Sequence, residues 1–534
     1  MVGVPRSRGC QICRSIKKGC DLRQPACSRC ERLHLSCVYE AKQWTSNAQA
    51  STGLAERVPG STLISTSSTS GGDLGFMAQS LQRASVLHGL IDSCLSEFMP
   101  AKSVYAKYPI GDTSYAPQAS ELRTLARTPN STLETAIRAW TCAVLGTQRD
   151  DTALLNHGTR LYASSLHNIN RDLQHKEKCR SDATLTACYY LSLYEWFRRD
   201  AATRVTSQST DWISHVAGTC RIVELRQTEN HATGASKALF SCVRQNAITA
   251  GIQQRHPVVT SEMWRKASPP SQQGCMNPRD GLLDIMMEIP ELLQRHDFIK
   301  QRCSMSPNAV GDRNRLSLLD EGDELLRSCM MTVDALRVWE AETLRSLIAM
   351  SSHEVRHPVT LDEVCKDFGY GFFHTIMYYW TGCMVLKGQM WFTSALLARL
   401  RRTGKVPEAH KPPFPPYINP REDVENMVAN ISHYFEPDSG LWGAQIAAFP
   451  LGAALHYYIV TEGPSSPSKQ RLITTVRTRS KADYPLAFLK SAAAETVPPE
   501  IRGDAADGKA HAGMATRWFG GESRAAGEVS SEAG

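Results

Sequence analysis

Beyond residue 80 the apolar side chains recur every three or four positions, and strict alternation is scarce. In "STLETAIRAWTCAVLG" (131–146), Ser131 and Glu134 have the spacing of a capping box. Ile137, Trp140 and Val144 then share one helix face, and Gly146 marks the expected stop. "DWISHVAGTCRIVELR" (211–226) sets Trp212, Val216, Cys220 and Val223 at the same spacing, and "FFHTIMYYWTGCMVLKG" (372–388) repeats it. The periodicity predicts a large all-α domain over residues 81–460, with about a dozen helices. One segment, "LWGAQIAAFPLGAALHYYIV" (441–460), is apolar throughout but contains Gln445, Pro450 and His456. It predicts a buried helix pair broken near Pro450, not a membrane span.

Either side of this block the pattern changes. Residues 41–80 are rich in Ser and Thr and hold Pro59 and Gly60, which predicts a flexible linker. No sustained heptad runs through it, so a coiled-coil dimerisation helix is not expected there. Past 460 the periodicity fades, and 503–534 is dominated by Gly and Ala, so 461–534 reads as a largely disordered tail.

Composition adds two constraints. The N-terminus, "MVGVPRSRGC", has no apolar run of the kind that directs secretion, so the 17 cysteines should be reduced thiols or metal ligands. The net charge of +7 is concentrated: residues 1–45 hold nine Lys/Arg against three acids, +6, and the remainder only +1. A local basic surface of this kind calls for a polyanionic partner, nucleic acid first.

The same short region holds six cysteines, Cys10, Cys13, Cys20, Cys27, Cys30 and Cys37. They form two copies of C-x2-C-x6-C, offset by 17 residues. A structural zinc ion takes four ligands in a tetrahedron, and three sulfurs per copy leave each ion one short. Two zinc ions on six sulfurs require two bridging thiolates, one from each copy by symmetry. A different zinc module or a disulfide knot could use the same sulfurs.

The stretch resembles the fungal binuclear zinc cluster family of DNA-binding domains. The six cysteines carry the resemblance, with Arg14, Lys17, Asp21 and Pro25. It implies a small metal-stabilised fold at residues 1–40, with two short helices and two zinc ions bridged by Cys10 and Cys27. It also implies that the helix opened by Cys13 enters the major groove and reads CGG-type triplets. Lys17 would contact bases, and Arg14, Lys18 and Arg8 would contact phosphates or the rim of the site. Ile16 and Gly19 depart from the family, where basic residues often stand; their loss weakens the expected grip on phosphate.

Four helical segments, "LSLYEWF" (191–197), 211–226, "ALFSCVRQNAITAGIQQRHP" (238–257) and "EPDSGLWGAQIAAFPLGAALHYY" (436–458), resemble the regulatory domain that follows the cluster in many fungal transcription factors. The resemblance implies a nuclear regulator of RNA polymerase II genes and not an enzyme. Such regulators often control a single pathway, secondary-metabolite gene clusters among them. Its partners would be double-stranded DNA, a second copy of the chain or another transcription factor, and an unidentified small-molecule effector. The main alternative is an interaction protein that keeps the cluster fold without reading bases. A remote one is a metalloprotease, because "HEVRH" (353–357) fits H-E-x-x-H. There Pro358 would push His357 out of the helix that its ligand role requires. His215 and His374, on apolar faces, are expected to be hydrogen-bonded core residues.

Overall fold

A computed structural model describes residues 20–21, 27–32, 89–101, 131–198, 208–226, 234–268, 277–304, 312–350, 368–402 and 418–494. The chain divides into two units, 1–74 and 75–534. The described residues are helical or irregular, with no strand among them. The first unit contributes α1 (Ser28–Arg32). The second begins with α2 (residues 89–98), α3 (Ser131–Arg149), α4 (Thr152–Leu173), α5 (Asp182–Phe197) and α6 (Gln208–Leu225). It continues with α7 (Gly234–Gln254), α8 (Ser261–Ala267), α9 (Pro278–Met286) and α10 (Ile289–Ser304). Two long helices follow, α11 (Asp312–Met350) and α12 (Tyr370–Arg402). The last are α13 (Arg421–Asn430), α14 (Gly440–Glu462), α15 (Pro467–Arg477) and α16 (Asp483–Ala494).

The predicted apolar stripes are the buried ones. Ile137, Trp140 and Val144 of α3 are inaccessible to solvent, and Trp212, Val216, Cys220 and Val223 of α6 join the same core. The expected stop at Gly146 is not where α3 ends. The helix runs on to Arg149, and Asp150 takes the left-handed conformation (φ 54°). The Asp151 amide then bonds back to the Gly146 carbonyl at 2.9 Å, a Schellman-type closure. Asp151 also accepts from the Leu154 amide at 3.0 Å and so starts α4. Gly146 serves packing instead: a Cβ there would lie 3.0 Å from the Leu155 side chain.

"LSLYEWF" forms the end of α5 and is buried on all sides, including Glu195 at 0% exposure. A buried carboxylate needs charge partners. Arg198 supplies one, with Nε 2.7 Å from Glu195, and reaches Asp211 of α6 at 2.8 Å. His215 of α6 stands 3.6 Å from Glu195 and bonds the Tyr162 hydroxyl of α4 at 2.9 Å. The network ties three helices together. A second buried pair, Lys387 with Asp423 at 2.7 Å, joins α12 to α13.

Two expectations for the C-terminal part need correction. The apolar stretch 441–460 is not a broken pair. It is one continuous helix, α14, with Pro450 inside it. Proline costs such a helix one amide bond and some bending, and packing on nearly every side holds α14 together regardless. Among the described residues no helix is long and apolar enough to cross a membrane. The helical packing also passes the boundary read at 460. Phe488 of α16 stacks on Trp196 with ring centroids 3.7 Å apart, and Leu489 fills the space over Gly452. Residues 41–80, 495–534 and the "HEVRH" segment lie outside the described residues.

α14 starts at Gly440, whose φ of 65° favours glycine. A Cβ at this position would press against the Phe98 carbonyl oxygen and lie 2.7 Å from that of Met99. The close approach lets α2 dock on the preceding turn, where the Ala101 amide bonds the Asp438 carbonyl at 2.8 Å. Gly440→Ala should lower stability by about 2–4 kcal/mol in denaturant unfolding of the helical unit, from strain plus overpacking. A loss below about 0.5 kcal/mol would contradict this geometry. Glu195→Ala, which leaves Arg198 buried and short of a partner, should cost about 3–5 kcal/mol in the same measurement.

Candidate metal centre

The described part of the cysteine segment is Cys20, Asp21 and residues 27–32. Cys27 immediately precedes α1 and Cys30 lies within it. The helix is one turn long, and its first bond runs from the Glu31 amide to the Cys27 carbonyl at 3.0 Å. The spacing of two residues between the cysteines turns both to the same side. The Cys30 amide approaches Cys27 Sγ at 3.4 Å, and both cysteines are fully buried. An amide aimed at sulfur at the start of a helical turn favours the thiolate form.

Asp21 fixes where this turn begins. Its two carboxylate oxygens accept from the Ser28 amide at 3.2 and 3.3 Å, and the Ser28 hydroxyl donates to one of them. It thereby satisfies one of the amides that every helix leaves unpaired in its first turn. The cap comes from seven residues upstream, so it ties the end of the first cysteine repeat to the start of the second.

The two repeats meet in the structure. Cys20 Sγ, Cys27 Sγ and an Asp21 carboxylate oxygen all lie within 4.8 Å of one another. On a tetrahedral zinc ion with bonds of about 2.3 Å, two sulfur ligands stand about 3.8 Å apart. Cys20 and Cys27 are therefore close enough to share an ion, and a thiolate-rich donor set suits zinc. Asp21 uses both oxygens on Ser28, so its visible work is to hold the turn. The residues present thus fit the metal. Among the described residues this is the cluster with ligand spacing.

Of the ten site residues expected from the sequence, Cys20, Cys27 and Cys30 are described. Cys10, Cys13, Cys37, Arg8, Arg14, Lys17 and Lys18 lie outside the described residues. The cap by Asp21 is not legible in the sequence. Asp21 stands out there only through the family resemblance, and no local pattern links a carboxylate to a helix start seven residues on.

Elsewhere the thiols and imidazoles look different. Burial pushes the Cys142 thiol up to about 11 and those of Cys188 and Cys329 up to about 12, which keeps them neutral and poor ligands. His374 Nδ1 is 2.7 Å from the Tyr434 hydroxyl, and its Nε2 is 2.5 Å from the Gln245 amide nitrogen. It is a hydrogen-bonded core histidine, as expected, and His215 is hydrogen-bonded too but only partly buried.

Residues 8–46 match the fungal Zn(2)-Cys(6) binuclear cluster domain. An uncharacterized protein of Emericella nidulans is 28% identical over 123 residues, which are 23% of this chain and 25% of that protein. The chain thus covers about a quarter of that relative's length. No solved structure matches the chain. The chain thus carries at residues 8–46 a match to a fungal binuclear zinc cluster domain, and the described residues of the larger unit are predominantly helical.

Proposed function

We propose that this protein is a nuclear, zinc-dependent transcription regulator that binds DNA by sequence. The observation that carries the reading is the doubled C-x2-C-x6-C repeat within a matched cluster domain, with Cys20 and Cys27 side by side. Cys10, Cys13, Cys20, Cys27, Cys30 and Cys37 hold two zinc ions, with Cys10 and Cys27 shared between them. When bound, zinc supplies the cross-links that stand in for a hydrophobic core in so short a segment. Asp21 and the Cys27–Cys30 turn set the second half of the domain in place. Lys17 donates to guanine O6 and N7 in CGG-type half-sites, while Arg14, Lys18 and Arg8 contact phosphates. The layout is that of a pathway-specific regulator, of the kind that also controls secondary-metabolite gene clusters.

A second reading is favoured by Ile16 and Gly19, which stand where relatives often carry basic residues. In it the domain keeps its fold but binds a partner protein in place of bases.

Selection from a randomised duplex library with the zinc-loaded full chain separates the two. Enrichment of a CGG-like triplet, lost in Lys17→Ala, is the expected outcome. Absence of enrichment from a protein that holds two zinc ions would support the partner-binding reading. Arg8→Ala should weaken binding to all sequences alike and reduce the slope of log K against log salt by about 0.9. The cap makes its own prediction: Asp21→Ala should weaken zinc retention about 10- to 100-fold in competition with a chelator. Unchanged retention would mean that the Ser28 cap is not needed to hold the sulfurs.

A further inference from the structure

From Gly463 to Ala482 the chain has five lysines and arginines and no carboxylate, although residues 46–534 together carry only +1. The stretch comprises the turn after α14, the whole of α15 and the turn into α16. α15 packs beside α14 and buries Lys469, Leu472 and Val476. At 100° per residue the opposite face has Thr474 and Thr478 at its centre and Arg471 and Arg477 on its flanks. The exit turn adds Arg479 and Ser480, and all six of these residues are exposed.

Little of this chemistry is used within the protein. The guanidinium groups of Arg477 and Arg479 bond no described residue, and that of Arg471 reaches the Ser468 hydroxyl at 2.9 Å. Glu462, the carboxylate that senses Arg471, is held by the Ser466 hydroxyl at 2.6 Å and the Ser468 amide at 3.4 Å. The hydroxyls of Thr474 and Thr475 also bond no described residue, whereas Thr461 at the end of α14 bonds back to the Tyr457 carbonyl at 2.9 Å. The two lysines are engaged elsewhere. Lys469 Nζ donates to the Pro464 carbonyl, and Lys481 Nζ to that of Pro437 at 3.3 Å, with Asp438 and Glu97 nearby. On other faces of the unit exposed arginines have carboxylate partners: Arg221 with Glu224, Arg265 with Glu288, Arg327 with Glu324 and Arg421 with Glu425.

The missing partner of the α15 face is therefore anionic. A helical acidic peptide would need an apolar anchor as well. None is offered here, because the large apolar side chains exposed among the described residues all lie on other elements. Phosphate oxygens need no such anchor, and they accept from guanidinium and hydroxyl groups alike. Arg471 and Arg477 are about 9 Å apart along the helix axis, a span over which a DNA strand presents several phosphates.

We propose that the outer face of α15, with the turn that follows it, is a second DNA contact that grips the phosphate backbone without reading bases. Arg471, Arg477 and Arg479 each pair with a phosphate, and Thr474 and Thr475 donate to phosphate oxygens between them. The inference takes its duplex from the DNA-binding reading but uses no residue of the zinc cluster.

The zinc-loaded full chain, titrated onto a CGG duplex and a scrambled one over a range of salt, tests it. Changing Arg471, Arg477 and Arg479 together to Gln should lower the slope of log K against log salt by about 2 to 3. Both duplexes should weaken alike, so any preference for the triplet is unchanged. Arg221→Gln, Arg265→Gln and Arg327→Gln, which remove the same charge from other faces, should leave the slope as it was. Should the first variant fail to fold, Thr474→Glu alone should lower the slope by about 1. A slope that falls as expected on a chain without triplet preference would support this contact and count against the base-reading cluster. Triplet preference with an unmoved slope would do the reverse and overturn the proposal. So would an equal fall with the three control arginines. Polyglutamate competing as well as the scrambled duplex, and losing that ability in the same variant, would make the partner an acidic protein and would also overturn it.

Discussion

Sulfur placement is the constraint on which the N-terminal part of this protein depends. A segment of about forty residues buries too little apolar surface to hold one conformation by packing alone. Six cysteines in the 28 residues from Cys10 to Cys37 offer another source of free energy, because ligand bonds made only in the folded state are folding free energy. The described geometry shows how the chain prepares for this. The Cys27–Cys30 turn buries two sulfurs, and the amide of the second faces the first. The Asp21 carboxylate clamps the start of that turn and brings Cys20 within reach of Cys27. Basic residues are interspersed with the cysteines along the sequence, and the same excess charge that offsets thiolates also suits a phosphate backbone.

The helical unit rests on different physics. Its core is a continuous cluster of buried apolar side chains, crossed by a few buried polar links between helices. Glu195, Arg198, Asp211 and His215 join α4, α5 and α6, and Lys387 with Asp423 joins α12 to α13. Such links add little net stability over apolar residues of similar volume. Their loss is costly because a charge would be left without a partner. The two units therefore answer to different perturbations, the first to chelators and the second to cavities and broken charge pairs.

What was legible in the sequence was whatever is encoded locally. Ligand spacing is a local pattern, so the cysteine repeat could be read directly. Helical periodicity is local too, so the spacing of Trp212, Val216, Cys220 and Val223 alone places them on one face, and that face is buried. The misreadings arose where a distant contact overrides a local signal. Gly146 looks like a stop, yet it is a contact point for Leu155, and α3 ends at Arg149, before the left-handed Asp150. Pro450 looks like a break, yet the surrounding helices keep α14 whole. The tail after 460 looks unstructured because its apolar content is modest, but Phe488 and Leu489 complete the core. The Asp21 cap and the stacking of Trp196 on Phe488 join residues with no fixed separation, so no periodic pattern could reveal them.

Metal-dependent recognition of a DNA triplet is the central claim, and one binding experiment tests it most directly. The full chain, loaded with zinc, is titrated by fluorescence anisotropy onto a duplex that carries CGG and onto one with that triplet scrambled. The titrations are repeated after the metal is stripped and again after it is restored. The account predicts binding to the CGG duplex at least about tenfold tighter than to the scrambled one, lost on stripping and recovered with zinc. Equal affinity for the two duplexes, or binding indifferent to the metal, would contradict it.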